Sequence, residues 1–224
     1  MQKNKVISTK TLTVLAMICA IAFILAAYVR IPITPPATTL TLRYDPKDIA
    51  ITIGGFMFGP LAAAAVSVVV ALIQMVTVSA TGFWGAVMNI ITSCAFCCTA
   101  AFIYRKYRGV RGAILGLAAA IVVATVAAML ANLLIVPIFM GRPREQVWPL
   151  LVPLFLPFNL INNTLNAAFT LALYKHVKMA LQKARLMPPE KVEKTGRMSV
   201  AIAIISLLVI AYMVLWVFVW HGSV

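Results

Sequence analysis

The sequence predicts an all-α, polytopic membrane helix bundle, with a six-helix core and one extra C-terminal transmembrane helix. Three observations lead there. Hydrophobic residues make up 63% of 224 positions and charged residues only 11%, far from the composition of a soluble domain. The apolar residues are gathered into runs long enough to cross a bilayer. Glycines, prolines and basic residues punctuate those runs. The net charge of +14 would point to nucleic acid in a soluble protein. Here no RNA- or DNA-binding motif accompanies the charge, so orientation in the membrane accounts for it and no nucleic-acid partner is expected.

The first helix is expected over 11–29, behind the basic lead MQKNKVISTK. Its apolar run is long for a signal peptide and the chain continues as membrane, so the helix is read as retained. Ala16 and Ala20 lie four apart, with Ala22 and Ala26 on a neighbouring face, and small residues at that spacing admit a second helix closely. Residues 30–45, RIPITPPATTLTLRYD, form a loop, because Pro32, Pro35 and Pro36 lack the backbone N–H and block regular helix. Irregular backbone cannot lie bare in hydrocarbon, so this loop belongs at the interface or over a cavity, as a lid. Residues 48–77 are apolar but broken by Gly54, Gly55, Gly59 and Pro60, giving a short second helix, a turn and a third helix.

Charge supports the break. With it, 14 of the 19 Lys and Arg residues lie on one side of the membrane and 5 on the other, as the positive-inside rule requires. The N-terminus is then cytoplasmic, and the C-terminus lies outside if the seventh helix spans. The fourth helix covers 83–104 and the fifth 113–135. An outer loop at 137–148 leads to the sixth, which ends near Tyr174. In domain terms, 1–176 is the membrane domain, 177–197 a basic cytoplasmic linker, and 198–224 the additional helix with a short tail. That last helix is apolar all round, so it is expected to lie against lipid.

The sixth helix carries the chemistry. In PLFLPFNLINNTLNAAFTLALYK (153–175), asparagines fall at 159, 162, 163 and 166, which puts all four on one helical face. A carboxamide without a partner is costly in lipid, so Asn159, Asn162, Asn163 and Asn166 should face a protein interior or a watered cavity. Each offers two donors and two acceptor lone pairs, suited to a neutral ligand with a mixed edge. The competing reading is interhelical hydrogen bonding. Asn132, near the end of the fifth helix, falls on the same side of the membrane as Asn159. Gln74, Asn89 and Ser93 are further polar residues within spans, and Asn89 suits a cavity or an interhelical bond equally. Tyr44 and Trp148 read as boundary aromatics.

All acidic residues (Asp45, Asp48, Glu145, Glu190 and Glu193) are read as lying outside the spans, which removes the intramembrane carboxylates used by ion-coupled carriers. There is no phosphate-binding glycine loop and no catalytic constellation, so no enzyme is expected. Cys94-Ala-Phe-Cys97 lacks a second pair or a nearby His, so Cys19, Cys94, Cys97 and Cys98 read as packing thiols, with no metal or cofactor. A binding cavity without an energy source suggests a capture subunit driven by a partner.

Four stretches in order carry a resemblance: LTLRYDPKDIAITIGGFMFGP (40–60), GAVMNIITSCAF (85–96), ANLLIVPIFMG (131–141) and LPFNLINN (156–163). Together they resemble the substrate-binding S component of energy-coupling factor (ECF) vitamin transporters, in particular the riboflavin branch, over about residues 10–176. The resemblance implies a six-helix bundle in a bacterial cell membrane, with a vitamin site near the outer face capped by the first loop. It implies a high-affinity capture subunit of an ABC importer, powered through a transmembrane coupling subunit by two cytoplasmic ATPases. Ala16 and Ala20 would dock the coupling subunit. Asn132 and Asn159 match asparagines that hydrogen-bond the flavin, and Thr39, Leu40, Thr41 and Leu42 align with lid contacts. Asn162, Asn163 and Asn166 complete the expected binding wall, with Asn162-Asn163 standing where the branch has Lys-Gly. The alternatives are an S component for another vitamin, such as folate or pantothenate, and a membrane scaffold without ligand.

Overall fold

The computed structural model describes residues 9–29, 31–33, 42–79, 81–141, 143–183, 207–212 and 215. They form α1 (Thr9–Tyr28), α2 (Lys47–Phe58), α3 (Pro60–Thr77), α4 (Gly82–Lys106), α5 (Val110–Met140), α6 (Arg144–Leu150), a π-helical turn (Leu151–Phe155) and α7 (Leu156–Lys183). Four of these, α1, α3, α4 and α5, are long and apolar enough to cross a membrane. The 28 residues of α7 reach about 42 Å at 1.5 Å per residue, a comparable length. Its inward-turned asparagines lower its average hydropathy.

The break between α2 and α3 falls where the sequence places it. Gly59 has φ 95°, a backbone region that disfavours any side chain, and its N–H closes α2 on the Gly55 carbonyl at 2.8 Å. Pro60 then opens α3, where its missing N–H removes a donor that would be unpaired anyway.

Two boundaries differ from expectation. α5 continues through Pro137 to Met140, and Gly141 stops it in the left-handed conformation (φ 61°, ψ 28°). A proline close to a helix end deletes only one hydrogen bond; the left-handed glycine reverses the chain. The stretch expected as a loop at 137–148 therefore holds the last turn of α5 and most of α6. Pro149, Pro153 and Pro157 then withdraw an N–H every fourth residue. The chain passes this stretch as a wide turn, with the Leu156 N–H on the Leu151 carbonyl. At its far end α7 runs on to Lys183, past the boundary read at residue 176.

The largest helix pair, α4 against α5, is a seam of small residues. Ala100, Ala101, Ala113, Ala120 and Ala124 are fully buried. A methyl group added at Gly116 would stand 2.7 Å from the Ala100 carbonyl oxygen, so the backbones meet closer than any larger residue allows. α1 packs on α2, where a methyl at Gly54 would meet Ile18 Cδ1 at 2.9 Å. Ala22 and Ala26 are buried inside this bundle, whereas Ala16 and Ala20 lie exposed on the opposite face of α1. Of the two alanine pairs, Ala22/Ala26 is used for internal packing.

The linker after Lys183 and most of the additional helix lie outside the described residues. Residues 207–212 are helical. Leu207, Leu208 and Tyr212 are exposed, and Ile210 packs beside Phe158 and Phe169 of α7.

Candidate functional site

The site is organised by the chain that leads into α2. Residues 31–33 and 42–44 pair antiparallel, with the Ile33 N–H on the Leu42 carbonyl at 2.9 Å and the Tyr44 N–H on the Ile31 carbonyl at 2.7 Å. Ile33 and Tyr44 are buried against Ile161 and Leu165 of α7. Tyr44 is therefore no boundary aromatic: its hydroxyl donates to Asn166 Oδ1 at 2.9 Å inside the protein. Trp148 is exposed. Thr39, Leu40 and Thr41 lie outside the described residues.

Beyond Tyr44, the backbone of Asp45 is held on both sides. Its N–H donates to Asn162 Oδ1 at 3.1 Å, and its carbonyl accepts from Asn166 Nδ2 at 3.0 Å. Extended backbone inside a membrane protein has no helical partner, and its polar groups need one. Two asparagines one turn apart on α7 supply both.

Asp45 then starts α2. Its carboxylate accepts from the Lys47 N–H at 3.2 Å, Pro46 follows it, and Asp48 sits in the first turn near the positive end of the helix dipole. The Lys47 ammonium pairs with the Asp45 carboxylate and stands 3.7 Å from Asp48 Oδ1. Lys47 and Asp48 are only 2% and 3% exposed. Thr52 Oγ1 donates to Cys97 Sγ at 3.3 Å, and the thiol contacts the Asp48 carbonyl at 3.7 Å. Cys97 and Ser93 lie near the middle of α4, so the start of α2 is level with mid-helix.

Asp48 belongs to none of the four helices long and apolar enough to cross a membrane, so it stays outside those spans. Asp48 is buried deep in the bundle. The preceding segment can descend because Asn162 and Asn166 satisfy its backbone. The dipeptide Asp-Pro followed by Lys-Asp is a helix-start signal, which marks where α2 begins and says nothing of its depth.

The other asparagines take separate positions. Asn163 Nδ2 donates to Thr125 Oγ1 of α5 at 3.1 Å. Asn159 Nδ2 donates back to the Phe155 carbonyl at 2.7 Å. Phe155 packs with Val147 and Leu151, and around them lie Leu42, Met129, Leu133 and Val136. Asn132 stands on α5 between those last residues, is 4% exposed, and its side chain makes no hydrogen bond to a described residue. Asn132 and Asn159 therefore flank one cluster, where the 42–44 segment, α5, the π-helical turn and α7 converge. Oδ1 of Asn159 and of Asn163 likewise takes no hydrogen bond from a described residue, so the cluster is edged by neutral donors and acceptors.

Among the described residues Lys47 is the only buried Lys or Arg, and two carboxylates neutralise it. No described group of three or more His, Cys, Asp or Glu is arranged for a metal ion. Asn89 Nδ2 donates to Gln74 Oε1 at 3.3 Å, tying α4 to α3.

Residues 10–174 match the family model for the substrate-specific component of ECF transporters. A solved structure, from work on the structure and mechanism of the S component of a bacterial ECF transporter, aligns with a TM-score of 0.64 at 27% identity. The alignment covers 77% of this chain and 98% of that one. No curated protein matches the chain.

Proposed function

The chain belongs to the family of substrate-specific components of ECF transporters, and on that premise we propose that it captures a neutral, flavin-like vitamin, riboflavin being the leading candidate. As a transport subunit it is not an enzyme. The observation that carries the ligand reading is the pair of neutral carboxamides, Asn132 and Asn159, that flank the Phe155 cluster, with Asn163 one turn further along α7. A flavin imide edge alternates acceptor, donor and acceptor, which carboxamides match. With Lys47 neutralised by Asp45 and Asp48, no buried described cation is left to favour an anionic vitamin. The riboflavin assignment also draws on the match of Asn132 and Asn159 to the flavin-contacting positions of that branch. Thr39, Leu40 and Thr41 complete the proposed ligand contacts from the first loop.

In this reading the protein is a multi-pass component of a bacterial cell membrane, with its N-terminus cytoplasmic. Ala16 and Ala20, uncovered on α1, dock a transmembrane coupling subunit, and two cytoplasmic ATPases power release of the vitamin. Residues 1–176 suffice for capture, and the additional helix is peripheral to it.

The test is a visible absorption spectrum of the detergent-purified protein, with mass spectrometry of what it releases. A stoichiometric flavin supports the proposal. Another vitamin would move the specificity, and failure to bind added riboflavin would remove the flavin reading.

A further inference from the structure

We infer that the asparagine face of α7 is divided: Asn162 and Asn166 are positioning residues that clamp the backbone of the first loop, leaving Asn132, Asn159 and Asn163 to meet the ligand. The clamp itself stands on hydrogen bonds within the chain; only its consequence for the ligand rests on the proposed capture function.

Three bonds carry it. The Asp45 N–H and carbonyl are fixed by Asn162 Oδ1 (3.1 Å) and Asn166 Nδ2 (3.0 Å), and the Tyr44 hydroxyl is fixed by Asn166 Oδ1 (2.9 Å). The orientations of both carboxamides follow from their partners. A backbone N–H can only donate, so Asn162 must present oxygen; a backbone carbonyl can only accept, so Asn166 must present nitrogen. Asn166 is 0% exposed, and both of its polar atoms are engaged by the loop.

The clamp acts on the site through register. Asp45 is three residues from Leu42, which packs on the Phe155 cluster between Asn132 and Asn159. Its carboxylate also accepts from the N–H of Lys47, the first residue of α2. Fixing Asp45 therefore sets where the 42–44 wall stands against the ligand-facing carboxamides, and where α2 starts in the bundle. An i, i+4 pair is the geometry that can reach the two groups of one extended residue from a single helix.

Opposite polarity of the two contacts gives a discriminating test. Asn162→Asp keeps an acceptor for the Asp45 N–H, whereas Asn166→Asp loses the donor and turns an oxygen toward the Asp45 carbonyl. Hydrogen exchange of ligand-free, detergent-purified protein would be followed in peptides covering 42–49. Asn162→Ala should speed exchange there about tenfold, the loss of roughly one hydrogen bond, and Asn166→Ala, which loses two, at least as much, with α4 and α5 unchanged. Asn166→Asp should do the same, Asn162→Asp should stay near wild type, and Tyr44→Phe should fall between.

Unchanged exchange in both alanine variants, or equal disruption by both aspartates, would overturn the clamp. So would faster exchange spread evenly over the bundle, which marks general destabilisation. With riboflavin as the probe, the clamp predicts a faster dissociation rate for Asn166→Ala that Asn162→Asp does not share. A wild type that binds no riboflavin counts against the proposed ligand and leaves the exchange result to decide the clamp.

Discussion

The α4–α5 seam and the junction of α7 with the 42–46 segment hold the same bundle together by opposite means. The seam is built of buried alanines with a glycine at close approach. Each helix there satisfies its own backbone, so close packing is all the pair requires. The α7 junction meets extended chain, whose N–H and C=O groups have no such internal partner. There the sequence places carboxamides. The difference teaches that intramembrane asparagines on this helix follow the irregularity of what they face. Where α7 faces a regular helix, at Thr125, one side-chain bond suffices; where it faces Asp45, two are made to one residue.

That contrast can be broken at several points. The largest expected effect is at the charged end of the junction. Lys47→Met leaves the buried Asp48 and the half-buried Asp45 carboxylates without their cation, and should cost about 3–5 kcal/mol in a reversible unfolding measurement. A loss under 1 kcal/mol would mean the carboxylates are neutral or hydrated. Next is the seam: Gly116→Ala forces its methyl against the Ala100 carbonyl and should destabilise by about 1–3 kcal/mol through overpacking. Thermal unfolding in detergent reads this, and a neutral result would show that the helices can part at no cost.

A similar magnitude, but in affinity, is expected at Asn159. Its replacement by Ala should weaken riboflavin binding by about 1–3 kcal/mol while leaving loop exchange unchanged. Equilibrium titration of flavin fluorescence would measure it, and an unaltered affinity removes Asn159 from the site. The smallest effect on stability belongs to the helix–helix bond. A double-mutant cycle of Asn163→Ala with Thr125→Val should give a coupling of about 0.6 kcal/mol, as for other interhelical bonds in membranes. A coupling near 2 kcal/mol would put this contact on a par with the clamp and erase the distinction.

Much of this arrangement was legible in the residues. The apolar runs specify helices that need no outside partner for their backbone. Gly59-Pro60 specifies the turn, since glycine tolerates a positive φ and the proline that follows needs no N–H partner. The spacing at 159, 162, 163 and 166 specifies that four carboxamides face inward. Each is a local rule, acting over one or two turns, and a single sequence displays local rules openly.

Tertiary structure decided the partners. Asn162 and Asn166 meet a residue more than a hundred positions earlier, and nothing in helical periodicity says whether an inward carboxamide will meet ligand, helix or extended chain. The depth of Asp48 was hidden for the same reason. A helix can start in mid-bundle only when a distant element satisfies the backbone before it. Ala16/Ala20 and Ala22/Ala26 make the point without polarity: the two pairs have the same spacing, and which one is covered depends on where α2 packs. Local sequence sets which face a residue occupies; long-range packing determines what that face meets.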